Sequence, residues 1–337
     1  MIVFIVRRLA ASVLVLLAAS FLTFLLVDLT GDPLEMLRLQ TPPPSPETIA
    51  TARHALYLDR SLPERYWLWL TGIGDTNGDI GLLRGRWGPS LSGSEIGPEL
   101  GQRFFVTLRL VIAALLISFA AAVITGVVSA VKQYRMIDHV LTLIAFIGLA
   151  MPSFWIASLV KESGTWVNDR VGSTVLFTFG ASSPNIEDLS PIYQVNDIVA
   201  HLVLPTAALV FHGYASISRF QRASMLEVLN ADYVRLARAK GLPNRVVMRR
   251  HALRTALIPI VTLGALATAG SLAGAVITET VFRWRGLGTY LVEAVNDKDL
   301  YAVMAVVMLT GVILIVFNLI ADLLYGVLDP RIRMGSV

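Results

Sequence analysis

No cysteine occurs among the 337 residues, so disulfides, iron–sulfur clusters and thiolate chemistry are excluded. Charge is scarce too. Asp, Glu, Lys and Arg make up 15% of the chain, against roughly a quarter in a soluble globular domain, while 55% is hydrophobic. Apolar surface on that scale needs lipid to cover it. GxxxxGK[ST] is absent, so the chain has no phosphate-cradling loop of its own, and HExxH, GxSxG and CxxC are missing as well. No convergent set of catalytic side chains remains, which argues against an intramembrane enzyme and leaves the catalytic and metal-ligating assignments empty.

What is present is a series of long apolar runs. A hydrocarbon core of about 30 Å takes roughly 20 helical residues at about 1.5 Å each. Six stretches meet that length, at 9–27, 110–131, 140–160, 198–218, 256–278 and 300–321. Those from Leu9 to Val27, Leu110 to Val131, Val140 to Val160 and Tyr301 to Ala321 hold no Asp, Glu, Lys or Arg. A charge at a span centre costs about 2.5–3.5 kcal/mol on insertion scales, so such bare runs predict membrane helices. The fourth stretch carries His201, Pro205 and His212, and the fifth Pro259 and several small residues. Arg7 and Arg8 also fit the start of a secretory signal, but the run behind them exceeds the roughly 7–15 residues of a signal core and no clean cleavage site ends it.

Six spans place both termini and the second and fourth connections on one side. Arg7, Arg8, Lys132, Arg135, nine Lys/Arg from Arg219 to Arg254, Arg331 and Arg333 lie there, against Asp138, Glu227, Asp232 and Asp329. The positive-inside rule makes that side cytoplasmic, so the basic balance reflects topology and no nucleic-acid partner is expected. The first outer segment has the opposite bias, nine acidic residues from Asp32 to Glu99 against seven arginines. The expected organisation is an N-terminal segment with the first span over 1–30, an extracytoplasmic loop region over 31–105, and a membrane core over 106–337 with a long cytoplasmic connection at 219–256.

The outer region is too long for an idle connection. Thr41-Pro-Pro-Pro-Ser-Pro46 reads as a stiff linker, and Pro46-Glu-Thr48 opens a short helix through Leu58. Tyr66, Trp67, Trp69 and Leu70 point to an amphipathic segment at the membrane interface. Asp75-Thr-Asn-Gly-Asp-Ile-Gly81 resembles a calcium loop superficially, but Arg86 stands where the bidentate Glu belongs, so a turn is predicted.

The connection from Arg219 to Arg254 is longer than a turn requires. Leu226, Leu229, Tyr233, Leu236 and Ala237 recur at three- and four-residue steps and predict one apolar helical stripe. Gly241 supplies a left-handed terminator, and Pro243 starts a second helix whose basic end reaches Arg249, Arg250 and His251. Two short helices joined by a glycine turn form a knob suited to a soluble partner. A topology-setting basic loop touching anionic lipid fits the spacing equally well.

The stretch Asp232-Tyr-Val-Arg-Leu-Ala-Arg-Ala-Lys-Gly241, then His251-Ala-Leu-Arg-Thr-Ala256 and Pro259, resembles the coupling loop of binding-protein-dependent ABC importer permeases, closest to the dipeptide/oligopeptide branch. Gly31-Asp-Pro33, Gly78-Asp-Ile-Gly81, Thr107-Leu-Arg-Leu110, Pro152-Ser-Phe154, Glu279-Thr-Val-Phe282, Gly286-Leu-Gly288, Asp322-Leu-Leu-Tyr325 and Leu328-Asp-Pro-Arg-Ile-Arg333 follow the family's order. Thr255 in place of the usual Asn, Arg285 in place of Pro, Lys161-Glu162 at the end of the third run and an enlarged stretch from Gly81 to Ser94 depart from it. These departures bear on substrate identity, not on the family.

The resemblance implies an all-α integral membrane protein of six transmembrane helices, N-in/C-in, that is not an enzyme. Asp232, Tyr233, Ala237, Arg238, Ala239, Lys240, Gly241, His251 and Arg254 would form the ATPase-docking knob. The implied partners are a second homologous permease, two cytoplasmic ATPase subunits that carry ATP and Mg, an extracytoplasmic solute-binding protein and the plasma-membrane bilayer. No cofactor is expected on this chain. A secondary transporter or channel is the rival reading, but such proteins carry charges within their spans, and these are nearly bare. Gly270-Ser-Leu-Ala-Gly274 is a GxxxG that reads as helix packing, with a passage lining as the functional alternative. His201 and His212 share one side of a helix and read as structural, since no acidic partner sits within the run. Asp28 and Asp322 are explained by exposure at span ends.

Overall fold

The computed structural model describes residues 2–328 apart from Gln40, Thr76, Ser92 and Leu189. It divides into two compact units, one formed by the chain up to Thr107 with Arg285–Ile315, the other by Leu108–Trp284 with the chain from Val316. The stretch Arg285–Ile315, inside the expected 106–337 core, thus groups with the N-terminal residues.

In the first unit, α1 (Ile2–Leu29) is followed by α2 (Glu35–Arg38), α3 (Pro46–Ala55) and α4 (Leu62–Thr71). The two longer of these short helices start on serines. Ser45 accepts from the Thr48 N–H, and Ser61 and Glu64 form a reciprocal capping box. Gly72 closes α4 at φ +69°. Trp69 and Leu68 are fully buried, and Tyr66 lies edge-on to Phe21 and Phe24 of α1. The expected interfacial segment therefore turns its main aromatic face into protein, with Trp67 left exposed. Asp28 is not explained by exposure either: it pairs with Arg65, which is 5% exposed.

A small hairpin, β1 (Ile80–Gly81) antiparallel to β2 (Arg86–Trp87), completes the outer pieces. The Asp75 stretch is a turn. Its carboxylate accepts from the N–H groups of Asn77 at 3.0 Å and Gly78 at 2.8 Å. The Tyr57 hydroxyl donates to Asp75 and Asp79 at 2.9 and 2.7 Å, which anchors a residue held at φ +56°. Asp299 reaches back to the same region, accepting from the Ser90 hydroxyl and the Leu91 N–H at 2.8 Å each.

The second unit holds α5 (Ile96–Val131, begun in the first), α6 (Met136–Ala150), α7 (Ser153–Val171), α8 (Pro191–Leu229), α9 (Asp232–Ala239), α10 (Asn244–Val246), a π-helical segment (Val247–Leu253), α11 (Arg254–Ala256) and α12 (Ile258–Phe282). After it come α13 (Leu287–Asn296) and α14 (Leu300–Leu328). α8 packs against α6, α7 and α12. Gly126 and Gly148 make this possible: a Cβ on either would meet α8 at 2.7 Å (Gln221) or 2.9 Å (Ala215).

Among the described residues, four helices are long and apolar enough to cross a membrane, within α1, α5, α8 and α14. The third predicted run is not one straight span. It breaks into α6 and α7, bent by 112°. Pro152 has no N–H to donate and forces Met151 out of helical geometry, which apolar content cannot reveal. Lys161, which interrupts the end of that run, donates to the Val281 carbonyl at 2.8 Å, where the α12 C-terminus favours a cation.

Burial raises the Asp75 carboxyl, but the Gly78, Asn77 and Ile80 N–H groups and the Tyr57 hydroxyl outweigh it and hold it below its usual 3.8. A depressed folded value stabilises the fold above the usual value, and that contribution is lost as pH falls through the folded value. Hydrogen exchange over residues 75–88, corrected for intrinsic rates, is therefore expected to stay slow from pH 7 to 5 and to accelerate below about 3.8. In Asp75→Asn that acid dependence flattens.

Candidate functional site

The segment between α8 and α12 is a knob of two parts. α8 stops at Asn230, Ala231 turns extended, and α9 begins with Asp232 in its first turn, where the N-terminal dipole favours an acid. At the far end Lys240 closes the helix and Gly241 stands at φ +76°, donating its N–H to the Arg238 carbonyl at 3.0 Å. Nothing lies within 4 Å of a Cβ added at Gly241, so backbone conformation alone selects glycine there. Pro243 is extended and accepts from Val246 and Val247, starting the next helix.

α9 turns Val234 and Ala237 inward, 0% and 6% exposed, against Ala130 of α5, Met225 and Val228 of α8, and Val247, Ala252 and Ala256 beyond the turn. The predicted stripe is thus corrected in two respects. The helix breaks at Asn230, so Leu226 and Leu229 belong to α8. Tyr233 and Leu236, 43% and 57% exposed, face outward. The 100° advance per residue puts 234 and 237 on one side and 233 and 236 on another. The outer face thus combines Tyr233 and Leu236 with the exposed Arg235, Arg238, Ala239 and Lys240.

The second helix does not end at His251 either. Through the π-helical segment and α11 the chain continues into α12, so His251 and Arg254 lie on the approach to that helix rather than on a separate knob helix. Thr255 donates to the His251 carbonyl at 3.1 Å. Gly270 and Gly274 fall in α12, where their packing lies outside the described residues.

Over residues 122–334 the sequence matches the family of binding-protein-dependent transport system inner membrane components, and residues 1–81 match the N-terminal region of such components. The chain belongs to this family. Among relatives of this permease, the oligopeptide transport system permease protein OppB of Mycobacterium tuberculosis is 36% identical, covering 98% of this chain and 99% of its own. The dipeptide transport system permease protein DppB of Escherichia coli K12 is 35% identical, with 99% of both chains covered. In fold, the permease resembles a solved methionine ABC transporter, MetNI (TM-score 0.52, 15% identity, 68% of this chain and 96% of that one). It also resembles an amino acid ABC transporter (TM-score 0.51, 13% identity, 68% and 93%). It is thus a multi-pass inner-membrane permease and not an enzyme.

Two groups in this permease escape a reading by runs and motifs. His201 is 3% exposed, stacks on Phe177 with centroids 3.9 Å apart, and pairs with Asp197 at 3.3 Å. Its acidic partner lies on the same helix one residue before the predicted run, so the expectation of none fails at the boundary; His212 is exposed. The other group joins Ser129, Asp138 and Arg222, residues separated by up to 93 positions. Single charges at run ends read as topology, and only the fold shows them paired.

The buried face of α9 predicts a separable stability effect. Met225→Ala, at a residue 0% exposed, is expected to cost about 2–5 kcal/mol and to lower the thermal midpoint of the detergent-purified permease. Leu236→Ala on the outer face should leave that midpoint unchanged.

Proposed function

We propose that this permease is one half of the membrane passage of an ATP-driven importer of dipeptides or oligopeptides. Identity of 35–36% over nearly the full length of permeases named for those substrates supports the solute class. The exposed outer face of α9, held on a glycine-ended helix, supports the coupling role.

In this reading six helices cross the membrane, with α6 and α7 together as the broken third and α12 as the fifth, and both termini are cytoplasmic. A second homologous permease encloses the passage. Two ATPase subunits, carrying ATP and Mg, bind from the cytoplasm, and a solute-binding protein docks outside. Tyr233, Leu236, Arg238, Ala239 and Lys240 make the contact with an ATPase subunit, while Ala237 and Gly241 shape the surface without touching the partner. ATP binding drives the change of orientation only through its different affinity for the two states.

Uptake of a labelled dipeptide into vesicles bearing the assembled importer is expected to require internal ATP and to persist when ion gradients are collapsed; uptake driven by a gradient alone would overturn the proposal. Gly241→Val should lower uptake while sparing insertion, because a β-branched residue resists positive φ. An unchanged rate at equal expression would remove the role of that turn.

A further inference from the structure

Where α5, α6 and α8 converge, an ion pair joins them, its carboxylate buried and its arginine side chain 29% exposed. Asp138, in the first turn of α6, is 2% exposed. Arg222 of α8 grips it with two parallel bonds, Nε to Oδ1 at 2.8 Å and Nη2 to Oδ2 at 2.9 Å. Ser129 of α5 donates to Oδ1 and itself accepts from Arg222 Nε at 3.1 Å. The Tyr134 N–H, in the turn joining α5 to α6, donates to Oδ2 at 2.9 Å. The carboxylate is thus fully partnered, and three helices meet on it.

A bidentate Arg–carboxylate pair is directional as well as strong, and removing one member leaves a buried charge uncompensated. Arg222 lies two turns before the end of α8, and α9 begins after two intervening residues. Asp138 opens α6, whose other end bends by 112° into α7. The pair therefore connects the part of α8 that leads into α9 to the helix that breaks into α7.

The packing at this point is imperfect. Beside the pair lies a cavity of about 10 Å³ lined by Thr125, Ser129, Thr142, Tyr214, Ser218 and Arg222, among others. On the preceding position of α8, Gln221 is 0% exposed, and neither end of its amide has a partner among the described residues. An unpaired buried amide costs free energy, so this contact is held less firmly than the ion pair beside it. Gly126, against which Gln221 packs, gives that contact no side chain to interlock.

We propose that Arg222 and Asp138 are a positioning pair for transport, carrying a displacement of α9 from α8 into α6, with Ser129 holding the carboxylate oriented. The inference rests on the docking of α9 to an ATPase subunit. Neither residue touches the solute or nucleotide. The pair acts as a stiff link, and its loss lets α8 move without α6.

The test uses the complete importer reconstituted in liposomes with its ATPase subunits and binding protein. ATP hydrolysis and dipeptide uptake are measured on the same vesicles for D138N, R222K and S129A. Cross-linking from Leu236→Cys to an ATPase subunit is scored in parallel. Cross-linking is expected to persist in all three backgrounds, with uptake per ATP hydrolysed lower by about tenfold in D138N and R222K, a typical size for coupling between sites. S129A, which keeps both charges, should fall between these and the unaltered permease, and it carries the test if D138N fails to assemble. An unchanged ratio, or uptake and hydrolysis declining in the same proportion, overturns the proposal and leaves the pair a structural contact. Absent cross-linking in the otherwise unaltered permease instead overturns the docking on which the inference rests.

Discussion

The proposed coupling role depends on one apolar contact, the seating of Val234 and Ala237 against Ala130, Met225, Val228, Val247, Ala252 and Ala256. α9 has only 8 residues, far below the length at which an isolated helix holds in water. Its order comes from this seat. A short helix fixed on the ends of α5 and α8 moves with them, whereas the same helix on a loose tether would absorb a push without passing it on. The small side chains matter because Ala130, Ala237, Ala252 and Ala256 bring backbones close without long flexible contacts between them.

Given that seat, the opposite face is left exposed. Tyr233 and Leu236 expose apolar surface between arginines, the composition of an interface patch with a charged rim. Gly241 then turns the chain back so that the helix stands out from its neighbours. The turn costs little for glycine and more for any other residue. Beneath it the Arg222–Asp138 pair joins α8 to α6, and beyond it the π-helical segment leads through α11 and a turn at Leu257 into α12.

Legibility from the sequence followed how local each signal is. Bare apolar runs such as Leu9 to Val27 and Leu110 to Val131 announce long helices, because lipid exposure excludes charge residue by residue. Gly241 is equally local and sits where turn chemistry puts it. Long-range pairings left no such trace. Asp28 with Arg65, Ser90 with Asp299 and Ser129 with Arg222 join residues 37 to 209 positions apart. The outer face of α9 is hidden for a different reason: apolar residues spaced from 226 to 237 imply one continuous helix, and the break at Asn230 changes which residues point inward. Pro152 likewise carried more structural weight than the apolar run around it.

The account is tested most directly by determining the structure of the assembled importer with a non-hydrolysable ATP analogue bound. It predicts that Tyr233 and Leu236 are buried in a cleft of an ATPase subunit while Val234 and Ala237 keep their packing on Ala130 and Met225. An ATPase subunit making no contact with α9, or α9 lifted off that apolar seat, would contradict it.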